Sequence, residues 1–228
     1  MAELALDGVT KRYGDIIALD DCSLAVETGG FHCLLGPNGS GKTTMLRLLL
    51  GLERPTEGTV TRRGVTVGAG FQRPSFYPSL SVRENLDVFA RFQAEVTDEW
   101  RERLVSGVGL DKAVDRRAGD LSGGFARKLD LALALLGRPD VVLLDEPLGA
   151  LDDVSRARLL DFLDAYAEDG HGVVVSTHRI SAFEPSLTRV SILTEGLVAL
   201  DRPVDDLPVE EGERLQDRYV EMVRDATS

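Results

Sequence analysis

Eight residues, Gly36 Pro37 Asn38 Gly39 Ser40 Gly41 Lys42 Thr43, fit the pattern GxxxxGK[ST]. Its glycines let successive backbone N–H groups point at one anion, and a side chain there would block the approach. A helix starting at the end of the loop adds its positive N-terminal end. Lys42 is then placed for the β and γ phosphates of a nucleotide, and the Thr43 hydroxyl, with Thr44 beside it, supplies a hard oxygen for Mg²⁺. Further on, Val141 Val142 Leu143 Leu144 lead into Asp145 and Glu146. A carboxylate at the end of a buried strand is tolerated beside a phosphate-bound cation, whose charge offsets desolvation. Asp145 is therefore the expected metal partner, direct or through water. Glu146 is the expected general base that polarises an attacking water. Between these motifs stands Leu121 Ser122 Gly123 Gly124, at the head of an apolar helical stretch over 125–136. Its hydroxyl, N–H groups and helix dipole form a second anion site.

These residues need a scaffold that brings strand ends together. Residues 4–6 and 16–26 read as antiparallel strands with a turn at Gly14 and Asp15. Phe31–Leu35 is a short apolar run, followed by the glycine-rich loop and a Leu-rich helix over 43–50 that Gly51 stops. The pattern turns helical over 81–136. Ser81 Val82 Arg83 Glu84 offers a capping box, and Thr97 Asp98 Glu99 opens a charged amphipathic segment. Residues 141–144 and 173–176 are continuous apolar strands of the kind buried on both faces of a parallel sheet, and a helix over 154–168 joins them into a βαβ unit.

Composition narrows the function classes. The 228 residues include 43% hydrophobic ones, enough for one large domain with a real core, and no repeat or linker divides the chain. No apolar window approaches a membrane span, and the first residues lack the basic-then-apolar order of a secretory signal, so a soluble, cytoplasmic chain is expected. Cys22 and Cys33 read as small buried thiols rather than a disulfide or metal pair. The net charge of −12 disfavours a nucleic-acid surface and leaves phosphate to be held by local donors. Only Lys11, Lys42, Lys112 and Lys128 among the 26 basic residues are lysines. That balance fits either a salt-adapted organism or a GC-rich genome.

The ordered series of phosphate loop, LSGG at 121–124, VVLLDEP at 141–147 and Ser176 Thr177 His178 resembles the ATP-binding subunit of an ABC transporter. The resemblance covers nearly the whole chain. It implies an α/β fold: a RecA-like P-loop NTPase core with a mainly parallel sheet, an antiparallel β edge and an inserted α-helical subdomain at about 75–136. A short terminal helix at about 210–225 is also implied. Gln72, after Gly70 and Phe71, matches the family's Q-loop, which senses Mg²⁺ and the γ-phosphate. His178 matches the switch histidine at that phosphate, and Tyr13 the aromatic that stacks on adenine. Ala150 Leu151 Asp152 Asp153 resembles the D-loop.

In that family, Ser122, Gly123 and Gly124 complete the site of a second ATP-binding subunit in a head-to-tail homodimer or heterodimer. Phe125 departs from the pattern, because the family most often has Gln there. The implied function is Mg-dependent ATP hydrolysis that powers a transmembrane permease subunit from the cytoplasmic face of the membrane. Residues 76–80 (FYPSL) either contact that partner or pack internally. The VRENL segment at 82–86 and the tail at 215–221 favour an exporter. A soluble ABC-class ATPase is the alternative, but tandem cassettes, coiled-coil arms and basic patches are not seen. An ATP-binding switch without hydrolysis would not need both Glu146 and His178.

Overall fold

The computed structural model describes residues 3–93, 96–178 and 180–207. Strands β1 (Glu3–Tyr13) and β2 (Ile16–Val26) are antiparallel, and Gly14, at φ 59°, opens the turn between them. β3 (Phe31–Leu35), buried at every position, leads through the glycine-rich loop into α1 (Lys42–Leu50). Gly51, at φ 74°, ends that helix, a left-handed position that costs glycine nothing sterically. β4 (Glu57–Arg63) and β5 (Val67–Gly70) follow.

Three helices then occupy the stretch expected to be helical: α2 (Val82–Ala90), α3 (Asp98–Val108) and α4 (Gly123–Leu135). The Ser81 hydroxyl accepts from the Glu84 amide while the Glu84 carboxylate accepts from the Ser81 amide, completing the capping box at α2. Thr97 caps α3 by accepting from the Trp100 amide. The chain returns through β6 (Val141–Asp145), α5 (Asp153–Glu168), β7 (Gly172–Thr177), β8 (Arg189–Thr194) and β9 (Leu197–Pro203). The terminal helix expected at about 210–225 lies outside the described residues.

The strands make two sheets. The larger has the order β5-β6-β7-β3-β8-β9 and is parallel except for β9. The smaller has the order β2-β1-β4 and is antiparallel. The antiparallel part expected from residues 4–6 and 16–26 is thus a sheet of its own, and its first strand is longer than the apolar run suggested. Both edges of β1 are taken, by β2 and β4, and β2 alternates buried with exposed residues over its second half. A strand with one wet face cannot replace β6 or β7, which are buried throughout.

The larger sheet divides the core in two. Leu34, Leu143 and Val174 point to the side of α1 and the small sheet, whereas Cys33, Leu35, Val142, Leu144, Val173 and Val175 point to α3, α4 and α5. This two-sided burial fixes the strands so that the ends of β3, β6 and β7 meet at one rim. Trp100 of α3 ties the helices together: its indole N–H donates to the carbonyls of Leu135 (3.3 Å) and Leu136 (3.1 Å), and its ring packs on Phe162 and Tyr166. Cys22 and Cys33 are free, buried thiols. No helix among the described residues is long and apolar enough to cross a membrane.

His32 is a charge-sensitive point of this core. Its Nε2 lies 2.7 Å from Ser191 Oγ and 3.9 Å from Asp201, which is held by Arg189. Burial lowers its pKa to about 4 against the opposing pull of Asp201. In the unfolded chain an ordinary His titrates near 6.5, so between those values the unfolded state binds more protons. Stability from this site is therefore complete above about pH 6.5 and is lost as pH falls toward 4, by up to roughly 3 kcal/mol. Denaturant unfolding at pH 7 and pH 5 should show this decline in wild type and a shallower one in His32→Asn.

Candidate active site

The rim where β3, β6 and β7 end holds a cleft of about 570 Å³, lined by Ala18, the loop residues Asn38 and Gly39, and the chemically capable side chains named below. Its floor is the glycine-rich loop. A Cβ on Gly36 would lie 2.3 Å from the Leu193 carbonyl oxygen, so only glycine allows the loop to pass this close to β8. Gly41 has φ 105° and a Cβ there would meet the Ala18 carbonyl at 2.5 Å. The loop runs straight into α1, whose free N–H groups face the cleft rim. Gly36, Pro37 and the buried Ser40 belong to the loop framework rather than to the lining.

Lys42, in the first turn of α1, curls back so that its ammonium donates to the carbonyls of Gly36 (2.7 Å) and Pro37 (3.0 Å). Burial lowers its pKa, while the carboxylates of Glu146 and Asp145 pull it back up. Thr43 donates its hydroxyl to Asp145 Oδ2 at 2.8 Å, and Ser176 Oγ donates to the other oxygen of the same carboxylate. Asp145 is only 4% exposed, and these hydroxyls, with the nearby Lys42 and Arg127 charges, help make a buried carboxylate tolerable there. A hydroxyl and a carboxylate oxygen at this spacing form a hard-donor pair of the kind Mg²⁺ takes, and their chemistry fits that ion.

Glu146 sits at φ 48°, a left-handed conformation that a non-glycine residue adopts only when its surroundings enforce it. Its amide donates to the Ser176 carbonyl (3.0 Å), and its carboxylate receives the Thr177 hydroxyl (3.2 Å) and lies 2.8 Å from His178 Nδ1. The register that pairs Asp145 with Ser176 therefore sets the imidazole beside the carboxylate across a gap of 32 residues. Gln72, just past β5, and Thr44, in the first turn of α1, complete the lining with Gly149. The structure thus gathers Asn38, Gly39, Gly41, Lys42, Thr43, Thr44, Gln72, Asp145, Glu146 and His178 at one cleft.

Tyr13 stands outside that lining, at the end of β1. Its ring is 42% exposed, its hydroxyl donates to Glu53, and the Lys11 ammonium lies 4.8 Å from the ring centroid. Ser122, Gly123 and Gly124 also lie outside the lining. Ser122 is the N-cap of α4, and among the described residues its hydroxyl makes no capping bond to that helix. A Cβ on Gly124 would meet the Ala150 carbonyl at 3.0 Å, so this turn packs directly on Ala150. Phe125 is half-buried against the core, with Lys128 (5.0 Å) and Arg116 (5.8 Å) about its ring. Asp152 caps α5 by accepting from the Ser155 amide.

Sequence reasoning missed Arg127 and Asp130, which are buried in α4 and bonded to backbone beside the cleft. The available signal was two opposite charges three residues apart inside a Leu- and Ala-rich helix.

A family model described as "ABC transporter" matches residues 19–149. The Nod factor export ATP-binding protein I of Burkholderia orbicola is 35% identical over 210 residues, covering 86% of this chain and 69% of that protein. The aliphatic sulfonates import ATP-binding protein of Escherichia coli is 36% identical over 214 residues, covering 89% and 81%. A dimeric ATP-binding cassette solved in a post-hydrolysis state with ADP and Pi superposes with a TM-score of 0.78 at 29% identity, covering 88% of this chain and 98% of that one.

Proposed function

Because the chain belongs to the ABC transporter family, as one of its ATP-binding subunits, we propose that the cleft at the β3, β6 and β7 ends holds ATP and that each side chain gathered there has a distinct task in its hydrolysis. The chain is an ATPase that powers transport. The observation that carries the residue assignment is the convergence of Lys42, the Thr43–Asp145 pair and the Glu146–His178 pair at one rim.

Lys42 exchanges its loop carbonyls for the β and γ phosphates, which a charged ammonium prefers. Thr43 and Asp145, with Gln72, would hold Mg²⁺, which when bound would supply charge neutralisation at the phosphates. Glu146 accepts a proton from the attacking water as its oxygen adds to the γ-phosphorus and the bond to the β,γ-bridging oxygen breaks, so that ADP leaves with that electron pair and phosphate is released. His178, bonded to the Glu146 carboxylate, fixes its direction and faces the same phosphate. The left-handed backbone at Glu146 keeps that carboxylate at the rim rather than in the helix side of the core.

Tyr13 supplies a ring face for adenine. Aromatic contacts of this kind contribute about 0.5–1.5 kcal/mol, which corresponds to up to tenfold in affinity. Tyr13→Ala should therefore raise the KM for ATP by roughly three- to tenfold and leave kcat within about twofold, because the ring touches no reacting atom. Steady-state kinetics against ATP concentration checks this split.

Ser122, Gly123 and Gly124 are offered to the ATP of a second subunit, identical or homologous, in a head-to-tail pair. Their absence from this chain's own cleft and the Ser122 hydroxyl that makes no capping bond support that reading, as does the dimeric state of the similar cassette. Phe125 contributes a cation-flanked ring at that interface in place of an amide. The helical segment at about 75–136 meets a transmembrane permease subunit on the cytoplasmic face, with the half-exposed Tyr77 and its neighbours as the contact. Relatives of similar identity include both an export and an import subunit, so identity alone does not set the direction. A tagged chain should be recovered from detergent-solubilised membranes together with an integral membrane subunit. Recovery only from the free cytosol or on ribosomes would overturn the transport reading.

A further inference from the structure

The side chain of Arg127 reaches three backbone carbonyls in two segments of the chain, those that carry Gln72 and Glu146, and none of its bonds is to a catalytic side chain. Its Nε donates to the Pro147 carbonyl (3.3 Å), one terminal nitrogen to the Asp145 carbonyl (2.5 Å), and the other to the Phe71 carbonyl and to Asp130 (3.2 Å). Asp130 in turn accepts from the Ser75 amide at 3.0 Å. The guanidinium thus holds peptides on both sides of Glu146, while the pair holds backbone on both sides of Gln72. All of this is anchored in α4, whose first turn begins at Ser122 only five residues earlier.

Two physical points separate this arrangement from ordinary packing. A buried ion pair is a poor source of stability, since apolar residues of similar volume serve as well or better. Arg127 and Asp130 are 3% and 4% exposed, in a helix whose other buried residues are Leu and Ala. Secondly, Glu146 adopts a left-handed backbone that must be enforced from outside, and fixed carbonyls at 145 and 147 do that. A planar fork can bind several carbonyls in different directions at once, whereas a lysine is a single point charge.

We propose that Arg127, braced by Asp130, is a positioning residue that sets the backbone of Glu146 and the Gln72 loop relative to the Ser122 end of α4. A shift of the signature turn is then felt at the general base and at the γ-phosphate sensor through one side chain. The inference rests on the assignment of Glu146 and Gln72 given above. Neither Arg127 nor Asp130 lines the cleft; Arg127 meets the lining only at the backbone carbonyl of Asp145.

The test uses three variants of the full chain, with ATP turnover and thermal melting measured on each. Arg127→Lys keeps the buried charge pair but not the fork. It should melt close to wild type and keep the KM for ATP within about twofold, while kcat falls roughly 10- to 100-fold, the size expected of a misplaced catalytic group. Arg127→Met alone should lose both stability and kcat, because it leaves Asp130 unpaired. The double variant R127M/D130L should regain melting stability relative to Arg127→Met and still show the low kcat. Wild-type kcat in Arg127→Lys, or in a folded double variant, would overturn the proposal. So would a kcat that recovers in step with melting temperature, because the pair would then be packing alone. If the double variant does not fold, Arg127→Lys decides. Failure of the underlying assignment reads differently: Glu146→Gln would then turn over normally, whatever the Arg127 series shows.

Discussion

Glu146→Gln lowers kcat for ATP hydrolysis by roughly 10²- to 10⁴-fold, the range a positioned general base contributes. The KM for ATP should change little, since the side chain faces water and not the bound phosphates' permanent donors. The amide is nearly isosteric, and its single oxygen can accept from the Thr177 hydroxyl while its NH2 group faces the His178 ring nitrogen, which then accepts. What it loses is the capacity to take a proton. The left-handed backbone at φ 48° is equally accessible to Gln and Glu, so the substitution isolates chemistry from fold. Single-turnover hydrolysis with radiolabelled ATP resolves the loss even when steady-state rates are too slow to follow.

Lys42→Ala has the larger effect on binding. A charge-assisted hydrogen bond contributes about 1.5–3 kcal/mol, and the ammonium can make two or more to phosphate oxygens. ATP affinity should therefore drop by at least 10²-fold. The two bonds to Gly36 and Pro37 are lost as well, but so is the desolvation that lowers the lysine's pKa, so the nucleotide-free variant should melt near wild type. The clear readout is linkage. Saturating ATP at about 100 times Kd stabilises the wild-type chain by about 2.7 kcal/mol, and that increment should vanish in Lys42→Ala. A nucleotide-dependent melting shift of wild-type size in the variant would remove Lys42 from the phosphate site.

The parts of the site that were legible in the sequence are those whose chemistry depends on neighbours along the chain. The glycine spacing of 36–41, the apolar run that buries Asp145, and the capping box at Ser81 each specify local geometry within a few residues. The parts that were not legible depend on register between distant strands. Nothing near His178 in sequence says that its ring meets the Glu146 carboxylate; the pairing of β6 with β7 does. Tyr13 bonds to Glu53 because the small sheet brings β1 beside the segment following α1, and β4 itself has too weak an alternation to announce its pairing with β1. Arg127 and Asp130 stand three residues apart in a helical stretch, and nothing in that spacing says which way they face. Only the packing of α4 across β5 and the segment after Gly70 turns them inward, onto the Phe71 carbonyl and the Ser75 amide. Local chemistry was thus readable, and the tertiary contacts that aim it were not.

In the proposed assembly one chain holds half of each hydrolysis site and a second chain holds Ser122, Gly123 and Gly124. Multi-angle light scattering of Glu146→Gln tests it most directly, with and without ATP and Mg²⁺. The expected mass is that of one chain, 24.8 kDa, without nucleotide and about twice as large with ATP. Adding Ser122→Glu, which places a negative charge where the partner's phosphate must lie, should abolish the shift. A Glu146→Gln chain that binds ATP at full occupancy yet stays at the mass of one chain would contradict the account.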